Sequence, residues 1–137
     1  MPIANYTTSV PASRTAGQIA RMLTDAGAGS VTTLHEDGAI KGLVFGIRTE
    51  FGWQEYRVPV RVLPVLAVLE ADTSLRPSQR GIAHAERVAW RIAHDWTRAQ
   101  VALIQAGMAT LPEVMFPYTL VAPDTTAFEA YAQRAIE

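Results

Sequence analysis

Residues 80–106, RGIAHAERVAWRIAHDWTRAQVALIQA, set the architecture of this chain. From about Ser78 to Ala106 there is no proline, and the single glycine, Gly81, falls in the expected first turn. Gly107 stands where a helix-ending residue belongs. The stretch predicts a helix roughly 40 Å long. A domain of this size has a radius of gyration of about 14 Å, so the helix spans the domain or projects from it.

Two faces can be read on that helix. Ile82, Ala85, Ala89, Ile92, Trp96, Ala99, Leu103 and Ala106 recur at steps of three and four and form a heptad-like apolar seam. Small alanines alternate with large side chains, which lets another helix approach closely. Trp90, Val101 and Ile104 add a second apolar flank, so the helix needs cover on more than one side. The expectation is a homo-oligomer, a dimer or higher, formed through Ile82, Ala89, Ile92, Trp96, Ala99 and Leu103. Arg80, His84, Arg87, Arg91, His94 and Arg98 form the other face, about 140° from the seam. Arg87 and Arg91 repel at i and i+4, which a purely solvated face rarely favours. Two readings stand for this stripe. It is a solvated or ion-paired surface, or it is a ladder for phosphates or for an acidic partner, strengthened below about pH 6.5 if the histidines protonate.

Outward from the helix, the N-terminal part reads as a small sheet with one helix. Ile3 to Val10 is β-branched and partly alternating, as in a strand. Thr15-Ala-Gly-Gln18 fits a capping box opening a helix over 15–26, with Ile19, Met22, Leu23 and Ala26 on its apolar face. Val31–Glu36, Ile40–Arg48 and Trp53–Val60 read as an antiparallel meander, with Asp37-Gly38 as the first hairpin turn. Gly42 and Gly46 share a face with Val44, so something approaches the sheet closely there: a packed helix or a ligand. Pro64 starts a compact apolar helix through Val65, Leu66, Val68 and Leu69. Residues 72–81 are rich in turn formers and read as a linker. Beyond the long helix, Thr110-Leu-Pro-Glu113 and Thr126-Ala-Phe-Glu129 are two more capping boxes, each opening a short helix; Phe128, Tyr131, Ala132 and Ala135 share a face of the last. The fold class is therefore α+β: a small antiparallel sheet with a packed helix, then a long helix and short C-terminal helices. The division is a sheet-and-helix half (1–71), the linker (72–81) and a helical oligomerisation half (82–137) of one integrated domain.

Composition limits the function. The 137 residues are 49% hydrophobic and 18% charged, with no cysteine and a formal net charge of -1. That excludes a disordered chain, a disulfide framework, a Cys-based zinc site and a thiol nucleophile. No apolar run approaches a bilayer span, and Met1–Val10 lacks the basic and apolar regions of a secretory signal, so a cytoplasmic protein with no membrane partner is expected. His35 lies by a hairpin, and His84 and His94 are about 15 Å apart along one helix, so no metal site is expected. There is no phosphate loop, nucleophile elbow or usable carboxylate pair, and neither cofactor nor catalysis is expected. Trp53, Tyr56 and Arg57 either pack the sheet or stack a nucleobase. Eleven arginines stand against one lysine, Lys41. Five of them lie within residues 76–98 against two acids, Glu86 and Asp95, so near-neutrality overall conceals a narrow basic strip.

Several stretches carry a resemblance. Asn5-Tyr-Thr-Thr8 with Val10-Pro11, Ala85-Glu-Arg-Val-Ala-Trp-Arg-Ile92, Asp95-Trp96, Ala99-Gln100, Glu113-Val114 and Phe116-Pro-Tyr118 follow in an order that resembles a family of short uncharacterised proteins of phages, prophages and mobile elements. His94 stands where such sequences prefer a lysine. The resemblance implies a mobile-element setting, with accessory roles in DNA replication or recombination or in inhibiting host defence, and carries no catalytic residues. Three functions follow as expectations: a binder of single-stranded nucleic acid or nucleotide phosphates through the arginine face; a counter-defence protein that sequesters a nucleotide signal or binds a host defence protein; and a virion or scaffold component.

Overall fold

The computed structural model describes residues 1–136; Glu137, the last residue of the expected helical half, lies outside them. The chain is an α+β protein built around the long helix α3 (Ile82–Gln105). α1 (Ala12–Asp25) leads into a three-stranded antiparallel meander of β1 (Ser30–Glu36), β2 (Ala39–Thr49) and β3 (Gly52–Arg57). α2 (Val62–Ala71) precedes α3, and α4 (Leu111–Met115), the two-stranded β4 (Leu120–Ala122) and β5 (Thr125–Thr126), and α5 (Ala127–Ala135) complete the fold.

The hairpin signal holds. Asp37 and Gly38 both adopt positive φ, at 52° and 78°, as a tight twisted turn requires. β3 ends at Arg57, short of the expected Val60, because Pro59 has no amide for the ladder. α3 closes at Gly107, whose φ of 75° is the left-handed conformation that ends helices. Both C-terminal capping boxes form: the Thr110 amide donates to Glu113 at 2.9 Å, and the Thr126 amide to Glu129 at 2.9 Å.

Three expectations are corrected. Ile3–Val10 is not a strand: Asn5 takes φ 65°, which breaks an extended run, and the segment folds into turns against α3. Thr15 does not cap a helix. α1 starts at Ala12 after Pro11, and Thr15 is fully buried one turn inside it. Gly42 and Gly46 face side chains of neighbouring strands rather than a helix. Gly42 lies under Leu34, and a Cβ on Gly46 would run into the Trp53 ring. The glycines make room for side chains from neighbouring strands, on the outer face of the sheet. The linker, 72–81, is packed on the rest of the chain through the buried Leu75 and Gln79.

One core joins the two halves of the chain. Leu43, Phe45 and Tyr56 from the inner sheet face meet Ala16, Ile19 and Leu23 of α1, Trp90 and Ala93 of α3, and Leu111 and Met115. A second cluster ties Leu69 and Leu75 to Ala85 and Val88, with Ile3 and Tyr6 packed against it. Each large side chain so buried contributes about 1.5–3 kcal/mol. α3 is thus covered by α1 on one flank, by α2 on another and by the N-terminal turns on a third.

Candidate nucleic-acid interface

The expected six-residue stripe on α3 does not survive as one exposed ladder. Arg80 precedes the helix. Its guanidinium donates to the Glu70 carbonyl at 2.6 Å, which places a cation on the last turn of α2, where it suits the carbonyl end. His84 is buried, with Nε2 2.6 Å from the Tyr6 carbonyl and Nδ1 3.2 Å from an Arg87 nitrogen. A guanidinium can only donate, so Nδ1 accepts and Nε2 carries the proton. His84 therefore serves as a clasp that ties the N-terminal segment to α3. His94 is also buried, with Nδ1 3.0 Å from Asp95. Asp95 takes a further bond from the Asn5 amide at 2.9 Å. The Asn5 bond, the His94 bond and the nearby Arg91 charge hold the Asp95 carboxyl below its ordinary value.

Arg87 and Arg91 are half-exposed and Arg98 is exposed, and these three keep the stripe alive. Arg91 donates to the Gln18 side chain of α1 at 2.8 Å. That bond lays a second polar row beside the first. Arg14 and Arg21 sit one turn on either side of Gln18 and are exposed. The same burial of Ala16, Ile19 and Leu23 that seats α1 in the core turns Arg14 and Arg21 outward. Arg14, Arg21, Arg87, Arg91 and Arg98 thus form a two-helix basic face. Each row is about 10–16 Å long. Among the described residues, none of the five lies within 4.0 Å of a carboxylate, whereas Arg57 reaches two. Asp25 and Asp95 are the acids carried by these two helices on that side.

Arg14, Gln18 and Arg21 were not among the residues singled out from the sequence. The helix start placed at Thr15 excluded Arg14 and cast Gln18 as a cap. Read from Ala12, the same sequence shows 14, 18, 21 and 25 as one polar stripe.

The sheet residues expected to help do not join this face. Tyr56 is buried, stacked on Phe45 with ring centroids 5.3 Å apart, and burial raises its phenol pKa. Trp53 lies over Gly46 on the opposite side of the sheet. Arg57 pairs with Asp124 at 3.3 Å and Glu129 at 3.9 Å. The three are dispersed, so the expected stacking platform is not assembled. The seam residues also divide. Ala89 is buried, Ile92 and Leu103 are half-buried, and Trp96 packs edge-on against Tyr118 at 5.3 Å. Ile82 and Ala99 are exposed.

Among the described residues, no group of three His, Cys, Asp or Glu side chains could hold a metal ion, and no helix is long and apolar enough to cross a membrane. Comparison with protein-family models, curated sequences and solved structures gives no significant match.

Proposed function

We propose that this chain is a non-enzymatic binding protein that engages the phosphates of nucleic acid across the α1–α3 face. One observation carries the reading: five arginines stand on two adjacent helices without a carboxylate within 4.0 Å among the described residues. Crowded guanidinium groups repel one another, and an anion between them relieves that repulsion while using their forked donors. The expected stacking residues Trp53 and Tyr56 lie off the face, so recognition runs through the backbone of the nucleic acid and is tolerant of base sequence. The resemblance to phage and mobile-element proteins supports the same setting, a host cytoplasm rich in replicating DNA.

The test is fluorescence anisotropy with labelled single- and double-stranded oligonucleotides over a salt series. Neutralising about four phosphates gives a slope of log K against log salt near -3 to -4. Binding at low salt that falls along such a slope is the expected result, and absence of binding at 50 mM salt overturns it. A second reading has its own support. Guanidinium forks bind carboxylate as well as phosphate, so an acidic surface on a host defence protein fits the same arginines.

A further inference from the structure

On the far side of α3 from the arginines lies a cleft of about 610 Å³. Ala89 and Ile92 form its floor, Pro64 and Val65 of α2 one wall, and Tyr118 and Phe128 the other. Its walls continue into apolar surface that nothing among the described residues covers. Phe128 is 55% exposed and Tyr131, one turn further along α5, 71%; on α2, Val68, on the same side as Pro64 and Val65, is 48% exposed. α2 has no charged residue between Val62 and Leu69, so its outward side is as apolar as its inward one. At about 200 Å² for a large side chain, these three residues leave roughly 350 Å² in the open. With the cleft itself, the surface comes near the about 500 Å² per partner at the lower bound of a specific interface.

We infer that this surface is the interface between two copies of the chain, with the Phe128–Tyr131 ridge of each copy seated in the cleft of the other. Three observations select a second copy as the occupant. A ridge lies directly beside a cleft it does not fill, which is the self-complementary layout a two-fold axis needs. The area is that of a small dimer interface. The charged groups at the cleft's end are already answered within the chain, Arg57 by Asp124 and Glu129 and Lys41 by Glu86, at 3.3, 3.9 and 3.7 Å. That leaves Arg61 as the one further cation lining it. A nearly neutral patch can meet its own copy without like-charge repulsion, and it lacks the excess cation that would select an acidic peptide. The interface uses Ala89 and Ile92 of the expected seam, but it is built by α2 and α5 rather than by a pair of α3 helices.

Light scattering on the purified chain tests the inference, with a doubling of the 14.9 kDa mass expected. Phe128→Glu with Tyr131→Glu should return the monomer while circular dichroism and the melting transition stay native, since both side chains are exposed. As the chain has no cysteine, Val68→Cys and Tyr131→Cys variants each carry one thiol. Mixed and oxidised, they should give a cross-linked heterodimer in excess of either homodimer. A monomer at 100 µM overturns the inference and leaves the cleft to a different protein. A dimer that persists in the double glutamate variant, or that fails to cross-link in the mixture, overturns it equally by placing the contact elsewhere.

Discussion

The two flanks of α3 are unlike in a specific way. On the α1 flank the apolar side chains Ala16, Ile19 and Leu23 are buried, and what is left over is charge: five guanidinium groups without carboxylates within 4.0 Å among the described residues. On the α2–α5 flank Arg57 and Lys41 are paired, and what is left over beside Arg61 is oil: Phe128, Tyr131 and Val68 in the open. Unsatisfied charge costs little in water and invites a ligand that is itself charged and salt-sensitive. Exposed apolar area costs more and invites a partner that stays. One helix thus separates a reversible surface from a persistent one.

The comparison can be broken or sharpened by substitution. The largest effect should come from Trp90→Ala, which removes a fully buried side chain at the centre of α3 and should cost about 3–5 kcal/mol. Thermal unfolding would show it, and both surfaces should fail together. Replacing Arg87, Arg91 and Arg98 by alanine should leave the melting point nearly unchanged. It should also lower nucleic-acid affinity by about two to three decades near 0.1 M salt and flatten the salt slope by two to three. If affinity survives, the basic face is only solvated. Gly46→Ala should expel the Trp53 ring from the outer sheet face at about 1–3 kcal/mol, with a red-shifted Trp53 emission, and should touch neither flank of α3. Thr126→Ala removes the cap that starts α5 and should cost about 1 kcal/mol, weakening dimerisation more than nucleic-acid binding.

The smallest effect is on pH dependence. The Asp95 carboxyl is lowered by Asn5, His94 and Arg91, so its stabilisation is fully present above the ordinary value of 3.8 and is lost as pH falls from there through its folded value. Asp95→Asn should flatten the acid limb of the stability profile, as measured by melting at stepped pH. An unchanged limb would show that the Asn5–Asp95 bond contributes nothing in solution.

Much of this was legible in the chain. α3 could be read because its apolar period runs unbroken by proline, and the β1–β2 hairpin because few dipeptides other than Asp37-Gly38 fit that turn so well. The capping boxes at Thr110 and Thr126 were read correctly and the one at Thr15 was not. All three share the same local pattern, and only burial of Thr15 by the rest of the fold distinguishes it. Ile3–Val10 has strand-like residues, but its β propensity is overridden by the tertiary bonds of Asn5 and Tyr6 to α3. The candidate site was half visible. Arg87, Arg91 and Arg98 follow from the α3 wheel alone. Arg14 and Arg21 become part of the same face only when Gln18 reaches Arg91, a contact 73 residues apart that periodicity cannot show. The burial of His84 and His94 was hidden for the same reason, since the wheel does not reveal which segments lie across it.

The clasp between the N-terminal turns and α3 also sets a timetable. Asn5 and Asp95 are 90 residues apart, and Tyr6 and His84 are 78 apart. At about 5–20 residues per second, the ribosome makes Asn5 several seconds before it makes Asp95. Throughout that interval α1 has no α3 to lie against, and its buried side chains Ile19 and Leu23 have only the meander for shelter. Asn5 and Tyr6 must wait for residues 84–95 before they can dock.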